Sequence, residues 1–354
     1  MQDSTPKIYL DNNATTPLDP RVYECMHAAF LTHFGNPASV QHAWGWAAEE
    51  LVNIAREELA GALGCKPQEI VFTSGATESI NLALRGILER DGGRLIQSTV
   101  EHKAGVDVGK YLASLGCEVL EVGVDRYGMV DLDQLAALLE VPTQLVSIIG
   151  ANNEIGTIQN FGAIAELCEG TGALLHFDLT QALGKIPFKL SEMGVDLASF
   201  SAHKVYGPMG VGALYVQTEL QHELQALVVG GGHQRGLRSG TLNVPGIVGF
   251  GAAARLISSE FDEVHAHVAS LTSQFYEGVC SKFPNVKLNG HATERILGNL
   301  SLSFPRVESI KLLSRLASRV ALSTSSACLS ASKQVSHVLS AIGLDSREID
   351  TTVR

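Results

Sequence analysis

The chain has 354 residues, 45% of them hydrophobic and 18% charged, and 37 acidic against 26 basic side chains give a formal net charge of −11. That composition excludes a disordered protein. An acidic chain without a basic block offers a phosphate backbone little to hold, so no nucleic acid partner is expected. The length predicts two domains or one large α/β unit, either able to bury a core.

The opening M-Q-D-S-T-P-K lacks the basic-then-apolar layout of a secretory signal, and no apolar run approaches the roughly 18 residues of a membrane span. A cytoplasmic setting without membrane contact is the expectation. Cys25, Cys65, Cys117, Cys168, Cys280 and Cys328 stand far apart with no C-x-x-C pair, so neither a metal site nor a disulfide framework is expected.

From about residue 20 to 250, short apolar runs alternate with helix-patterned segments. E-I-V-F-T, R-L-I-Q-S-T, L-V-S-I-I-G-A, A-L-L-H-F-D, D-L-A-S-F-S-A and V-G-A-L-Y-V predict strands buried on both faces, joined by helical crossovers into a mostly parallel α/β sheet. Pro245-Gly246 opens a predicted helix reaching about Ser259. A helix over 261–283, apolar runs V-K-L and N-L-S-L-S-F, a helix near 308–318 and the Ser-rich stretch Ser323–Ser332 predict a smaller α+β domain.

Open α/β sheets bind ligands at the carboxyl ends of their strands. S-G-A-T-E-S (74–79) follows a predicted strand and opens a helix, where Gly75 admits a close backbone approach and the amides of Ala76 and Thr77, with the Thr77 hydroxyl, suit an anion. By itself this stretch is better explained as an ordinary helix cap. A-L-L-H-F-D sets Asp178 at the end of one apolar run, and D-L-A-S-F-S-A-H-K sets Ser201, His203 and Lys204 at the end of the next. Adjacent strands thus deliver a carboxylate and an amine to one edge. A salt bridge is the bland explanation, but a buried ion pair contributes little stability. A pyridoxal-phosphate site, with lysine attaching the cofactor and aspartate keeping its pyridine nitrogen protonated, explains the pair better.

E-H-K (101–103) puts His102 at the same edge, able to stack on a flat ring or shuttle a proton. Lys103, the rival attachment lysine, has no Gly-rich turn after it and ranks below Lys204. In S-T-S-S-A-C-L-S-A-S (323–332) a lone cysteine stands among small polar residues, which predicts an exposed, mobile segment and makes Cys328 the candidate nucleophile.

These residues, in this order, resemble the group I cysteine desulfurases of the NifS and IscS kind, within the class V aminotransferase fold. The resemblance rests on Y-L-D-N-N-A-T-T-P (9–17), G-N-P-A-S (35–39), F-T-S-G-A-T-E-S-I-N (72–81), E-H-K-A (101–104) and N-N-E-I-G-T-I-Q (152–159). It continues through D-L-T-Q-A-L-G-K (178–185), S-A-H-K-V-Y-G-P-M-G-V-G (201–212), G-G-G-H-Q-R-G-L-R-S-G-T-L-N (230–243) and S-S-A-C (325–328). It implies fold type I of the pyridoxal-phosphate transferases, with a large seven-stranded sheet domain (16–254) and a small domain (1–15 and 255–354) carrying the cysteine loop 323–333. Lys204 would hold the cofactor, Asp178 the pyridine nitrogen, His102 the ring face and Gln181 the ring oxygen. Asn153 would lie beside ring and substrate. Ala76, Thr77, Ser201 and His203 would hold the phosphate, joined by Thr241 from a second subunit of a homodimer.

Arg354 would clamp the substrate carboxylate, and Cys328 would take sulfur from L-cysteine, leaving L-alanine. The persulfide would then pass to a sulfur-acceptor or iron–sulfur scaffold protein. The sequence departs from the pattern at Ser325, where glycine is usual, and at Leu329, where a small polar residue is usual. Relatives continue beyond the position of Arg354 with a strand and a helix, so in this chain a terminal carboxylate is expected to compete for the Arg354 guanidinium. A weakly active cofactor-binding scaffold and a selenocysteine lyase are the alternative functions.

Overall fold

A computed structural model of the protein describes residues 7–324 and 335–354. Its first third runs β1 (Ile8–Tyr9), α1 (Pro20–Leu31), α2 (Ala43–Leu63), β2 (Ile70–Thr73), α3 (Ala76–Leu88), β3 (Arg94–Ser98), α4 (Lys103–Ser114) and β4 (Glu118–Val122). There follow α5 (Leu132–Leu139), β5 (Leu145–Ile149), α6 (Phe161–Thr171), β6 (Leu174–Asp178), β7 (Leu197–Ser201), β8 (Gly212–Val216), α7 (Val244–Ser259) and α8 (Phe261–Lys282). The chain closes with β9 (Lys287–Asn289), β10 (Ser301–Ser303), α9 (Ser309–Leu316), β11 (Val320–Ala321), α10 (His337–Ala341), α11 (Ser346–Asp350) and β12 (Thr352–Val353).

Seven strands form one sheet in the order β2-β8-β7-β6-β5-β3-β4. All run parallel except β8, which is antiparallel to both its neighbours. The reason is length: residues 202–211 are too few for the dozen or more that a parallel crossover needs. Every residue of β2, β3, β5, β7 and β8 is buried, because helices cover both faces. One core lies under α3 and α4, with Ile80, Leu84, Val108 and Leu112. The other lies under α2, α5, α6 and α7, with Leu59, Leu135, Ile164 and Phe250. Side chains of this size, fully buried, contribute roughly 1.5–3 kcal/mol each.

A polar rung crosses three central strands. The His176 imidazole contacts the Ser147 hydroxyl through Nδ1 and the Ser199 hydroxyl through Nε2, both at 2.9 Å. Burial pushes His176 down to about 3, so the ring stays neutral and one orientation satisfies all three side chains. Losing it would orphan two buried hydroxyls, at about 1–3 kcal/mol each.

The outer edge of β2 is sealed by side chains. The Gln234 carboxamide accepts from the Phe72 amide and donates to the Phe72 carbonyl, both at 2.7 Å. The guanidiniums of Arg56 and Arg235 donate to the Ile70 carbonyl. The opposite edge strand, β4, is half exposed and carries Glu118 and Glu121.

Beyond α7 the sheets are small: β12-β10-β9, antiparallel, and β1-β11, parallel. Val338, Leu339, Ile342 and Ile349 pack with Val100, Ile149 and Ile155, which seats the C-terminal elements over the carboxyl edge of the large sheet. Among the described residues no helix is long and apolar enough to cross a membrane.

Candidate active site

A cleft of about 1260 Å³ opens where β2, β3, β5, β6 and β7 end, closed over by Asn13, Ala14 and Thr15 from the N-terminal segment and by His337 and Arg354 from the C-terminal one. Asp178, Lys204, His102, Gln181, Asn153, Ala76, Thr77, Ser201 and His203 all line it.

One end is backbone. Gly75 precedes α3 with φ +152, in a region L side chains rarely adopt, and gives the helix no side-chain cap. The capping pattern read in the sequence is therefore absent. Glu78 turns away to Arg238, at 2.8 Å, and to the Ser74 amide, at 2.7 Å. The amides of the first turn of α3 are left facing the cleft mouth, as an anion needs. A Cβ on Gly212 would lie 2.5 Å from the Gly75 Cα, so β8 holds this turn by direct backbone contact. His203 stands nearby with Nδ1 on the Thr15 hydroxyl, 3.1 Å away. Burial first, then the charges of Lys204 and Lys185, push it down to about 4, leaving a neutral imidazole near pH 7.

The other end is side chains. Asp178, 4% exposed, receives the Thr180 amide at 3.0 Å. The Lys204 amine donates to the carbonyls of Asn13 and Ala14 at 2.6 and 2.7 Å. Gln181 donates through Nε2 to the same Asn13 carbonyl at 2.9 Å and accepts from the Lys185 amine through Oε1. His102 caps α4, its Nδ1 accepting from the Ala104 amide at 3.1 Å, which leaves the proton on Nε2. Burial holds its pKa below the ordinary histidine value, against the pull of Asp178.

Asn153 stands in a loop that Asn152 builds by accepting the amides of Glu154 and Ile155 and donating to the Val100 carbonyl. The Arg354 guanidinium, 6% exposed, donates to the Asn153 carbonyl at 2.8 Å and pairs with Asp11 at 2.7 Å. The carboxylate that meets it is thus the one in L-D-N-N. Asp11 also accepts from the Ser323 hydroxyl at 2.6 Å.

Two predicted residues are not in this assembly. Thr241 is exposed and outside its own chain's cleft. Cys328 lies outside the described residues, as do Ser325 and Leu329. Lys103, the rival lysine, pairs with Asp107 one turn along α4 at 2.9 Å. Glu101, Asp11 and Lys185 join this network too; none is expected there from the sequence, although each stands inside a family motif. Glu101 is fully buried beside His102. Burial, with the Asp178 charge adding, pushes it up to about 8 against hydrogen bonds from Ser98 and Ile149.

These residues fit a flat, phosphorylated, anionic group. The helix amides lack a side-chain cap, a neutral imidazole and two hydroxyl-bearing residues stand beside them, and the buried hydroxyls of Thr99 and Thr180 on the cleft wall have no partner among the described residues. Residues 8–347 match the family model of aminotransferase class V. The chain belongs to the class V aminotransferase family. Within it, a cysteine desulfurase IscS of Salmonella paratyphi C is 44% identical over 98% of this chain and 87% of the relative. A solved NifS-like protein superposes with a TM-score of 0.90 at 39% identity, covering 98% of this chain and 92% of its own. A structure of SspA in complex with cysteine gives 0.85 at 33% identity, covering 98% and 97%. The α/β architecture with its large, mostly parallel sheet is therefore the class V aminotransferase fold.

Proposed function

We propose that this class V aminotransferase is a pyridoxal-phosphate-dependent cysteine desulfurase, which converts L-cysteine to L-alanine and takes the sulfur onto Cys328 as a persulfide. The carrying observation is that Asp178 and Lys204, at the ends of adjacent strands, line one cleft with an uncapped helix N-terminus. When bound, the cofactor supplies a protonated pyridine ring that draws electron density from the amino acid's Cα bonds. The first-turn amides of α3, with Thr77, Ser201 and His203, hold its phosphate. Asp178 keeps a proton on the ring nitrogen, and Gln181 donates to the ring oxygen. Asn153 and Arg354 orient the substrate carboxylate.

Lys204 attaches the cofactor and then carries the Cα proton. Neutral His102, its Nδ1 held by the Ala104 amide, would offer the cofactor and substrate an Nε2–H donor near pH 7. The Cys328 thiolate attacks the substrate sulfur: a sulfur–sulfur bond forms as the carbon–sulfur bond breaks, and the carbon keeps the electron pair and takes a proton to become alanine. The persulfide then goes to a sulfur-acceptor or iron–sulfur scaffold protein.

We take residues 16–254 as the cofactor domain and 1–15 with 255–354 as the small domain. A homodimer is part of the reading and accounts for Thr241, which would serve the second subunit's site. Supporting it, Phe34 at 71%, Val40 at 68%, Trp44 at 57% and Trp46 at 56% exposure are apolar groups that water disfavours on a monomer. Cys25, Cys65, Cys117, Cys168 and Cys280 are free thiols, which supports a cytoplasmic setting.

The test is alanine formation from L-cysteine by protein loaded with pyridoxal 5′-phosphate. Alanine is expected, and Cys328→Ser is expected to abolish turnover while the visible cofactor band persists. Undiminished turnover in that variant would reject the persulfide route, and a protein that never acquires the band would reject the whole reading.

A further inference from the structure

The turn after β6 carries a second lysine that takes no part in the proposed chemistry. Lys185 lies four residues beyond Gln181, and its amine donates to Gln181 Oε1. The turn is pressed against α7: Gly184 has φ +70, and a Cβ there would lie 2.0 Å from Ile257 Cδ1. The charged groups that act on the Lys185 amine are Lys204 and Arg354, and His203 in turn feels Lys185. All are potential cations. Burial, with Lys204 and Arg354 adding, pushes Lys185 down to about 7. A buried amine among cations is a poor source of stability, so its bond to Gln181 is the more informative feature.

A carboxamide can present either an acceptor or a pair of donors, and a half-turn exchanges them. Here both sides agree on one orientation. The Asn13 carbonyl can only accept, which fixes Nε2 on its side, and the Lys185 amine donates to Oε1. Nε2 has two hydrogens. Asn13 takes one, and among the described residues no group takes the other, which can meet a ligand acceptor.

We propose that Lys185 is a positioning residue: by occupying Gln181 Oε1 it holds the carboxamide donor-first toward the cleft, so that a cofactor's anionic ring oxygen meets an N–H and never a carbonyl. This deepens the pyridoxal-phosphate reading and rests on it. Without Lys185 the Gln181 amide can turn over and set oxygen against oxygen.

The test is a pH titration of the visible absorption band of the full chain loaded with pyridoxal 5′-phosphate, in wild type, Lys185→Met, Gln181→Ala and the double variant. A donor at the ring oxygen stabilises its anion. Losing that donor should raise the band's midpoint by roughly one pH unit, the weight of a hydrogen bond to a charged oxygen. Lys185→Met and Gln181→Ala are expected to shift it alike, and the double variant no further than Gln181→Ala. Lys185→Arg, which keeps a donor, should restore most of the wild-type midpoint. Should the methionine variant not fold, Lys185→Gln, too short to hold Oε1, carries the same expectation. An unmoved midpoint, or a shift that adds fully in the Gln181→Ala background, overturns the inference while leaving the cofactor site standing. A wild type with no band at any pH overturns the site reading itself.

Discussion

The two ends of the cleft are built by different means. Around Gly75 the groups that line the cleft are consecutive main-chain amides, held by a backbone contact from β8. Around Lys204 they are side chains held by residues far away in sequence: the carbonyls of Asn13 and Ala14, the carbonyl of Asn153, and Asp11 against Arg354. A local peptide conformation tolerates most side-chain changes and fails at glycine. A network shares out its hydrogen bonds, so each deletion is felt by its neighbours.

The sharpest break in that contrast is Lys204→Ala, which on the proposed function removes both the attachment point and the proton carrier. Desulfuration should fall on the order of 10³-fold or more, and the visible band should disappear. Next comes Arg354→Lys, which keeps the charge and loses the fork. KM for cysteine should rise by roughly 10- to 100-fold, the weight of a hydrogen bond to a charged group, with a smaller change in kcat. At the backbone end, Gly75→Ala puts a side chain at φ +152, a strain of about 1–3 kcal/mol. Retention of pyridoxal 5′-phosphate, followed by equilibrium dialysis, should weaken about tenfold with the cysteine KM little changed.

A last effect concerns stability and leaves the site's chemistry aside. Glu101 titrates near 8 in the fold against an ordinary value of 4.5. The unfolded chain sheds this proton first, so the contribution is complete below about 4.5 and is lost as pH rises through about 8. Between pH 6 and 8 the loss is on the order of 2 kcal/mol. Thermal unfolding from pH 5 to 9 should therefore show a shallower alkaline decline in Glu101→Gln than in wild type. Parallel curves would mean that Glu101 is already ionised in the folded protein.

The contrast also explains what could be read in advance. Six strands were legible because both faces are buried and their apolar runs are unbroken. β4, the strand expected after Cys117, lacks such a run, since as an edge strand it exposes Glu118 and Glu121. The reversal of β8 lies in a connection length rather than in its own residues. Asp178, Lys204 and His102 were legible because each ends or follows an apolar run. Lys185, Asp11 and Glu101 stand within motifs but show no role in the sequence alone, because only the folded chain brings an amine to Gln181, a carboxylate to Arg354 or burial to Glu101. For Lys185 a signal existed: a lysine four residues past Gln181 with glycine before it.

The outer edge of β2 carries a consequence for behaviour at high concentration. A strand with an open ladder recruits similar strands from other molecules. Here the carboxamide of Gln234 imitates a peptide unit of a missing neighbour, and two guanidiniums occupy the next carbonyl. The sheet thus terminates on groups that cannot propagate it, and replacing Gln234 by leucine would turn a finished border into a template for aggregation.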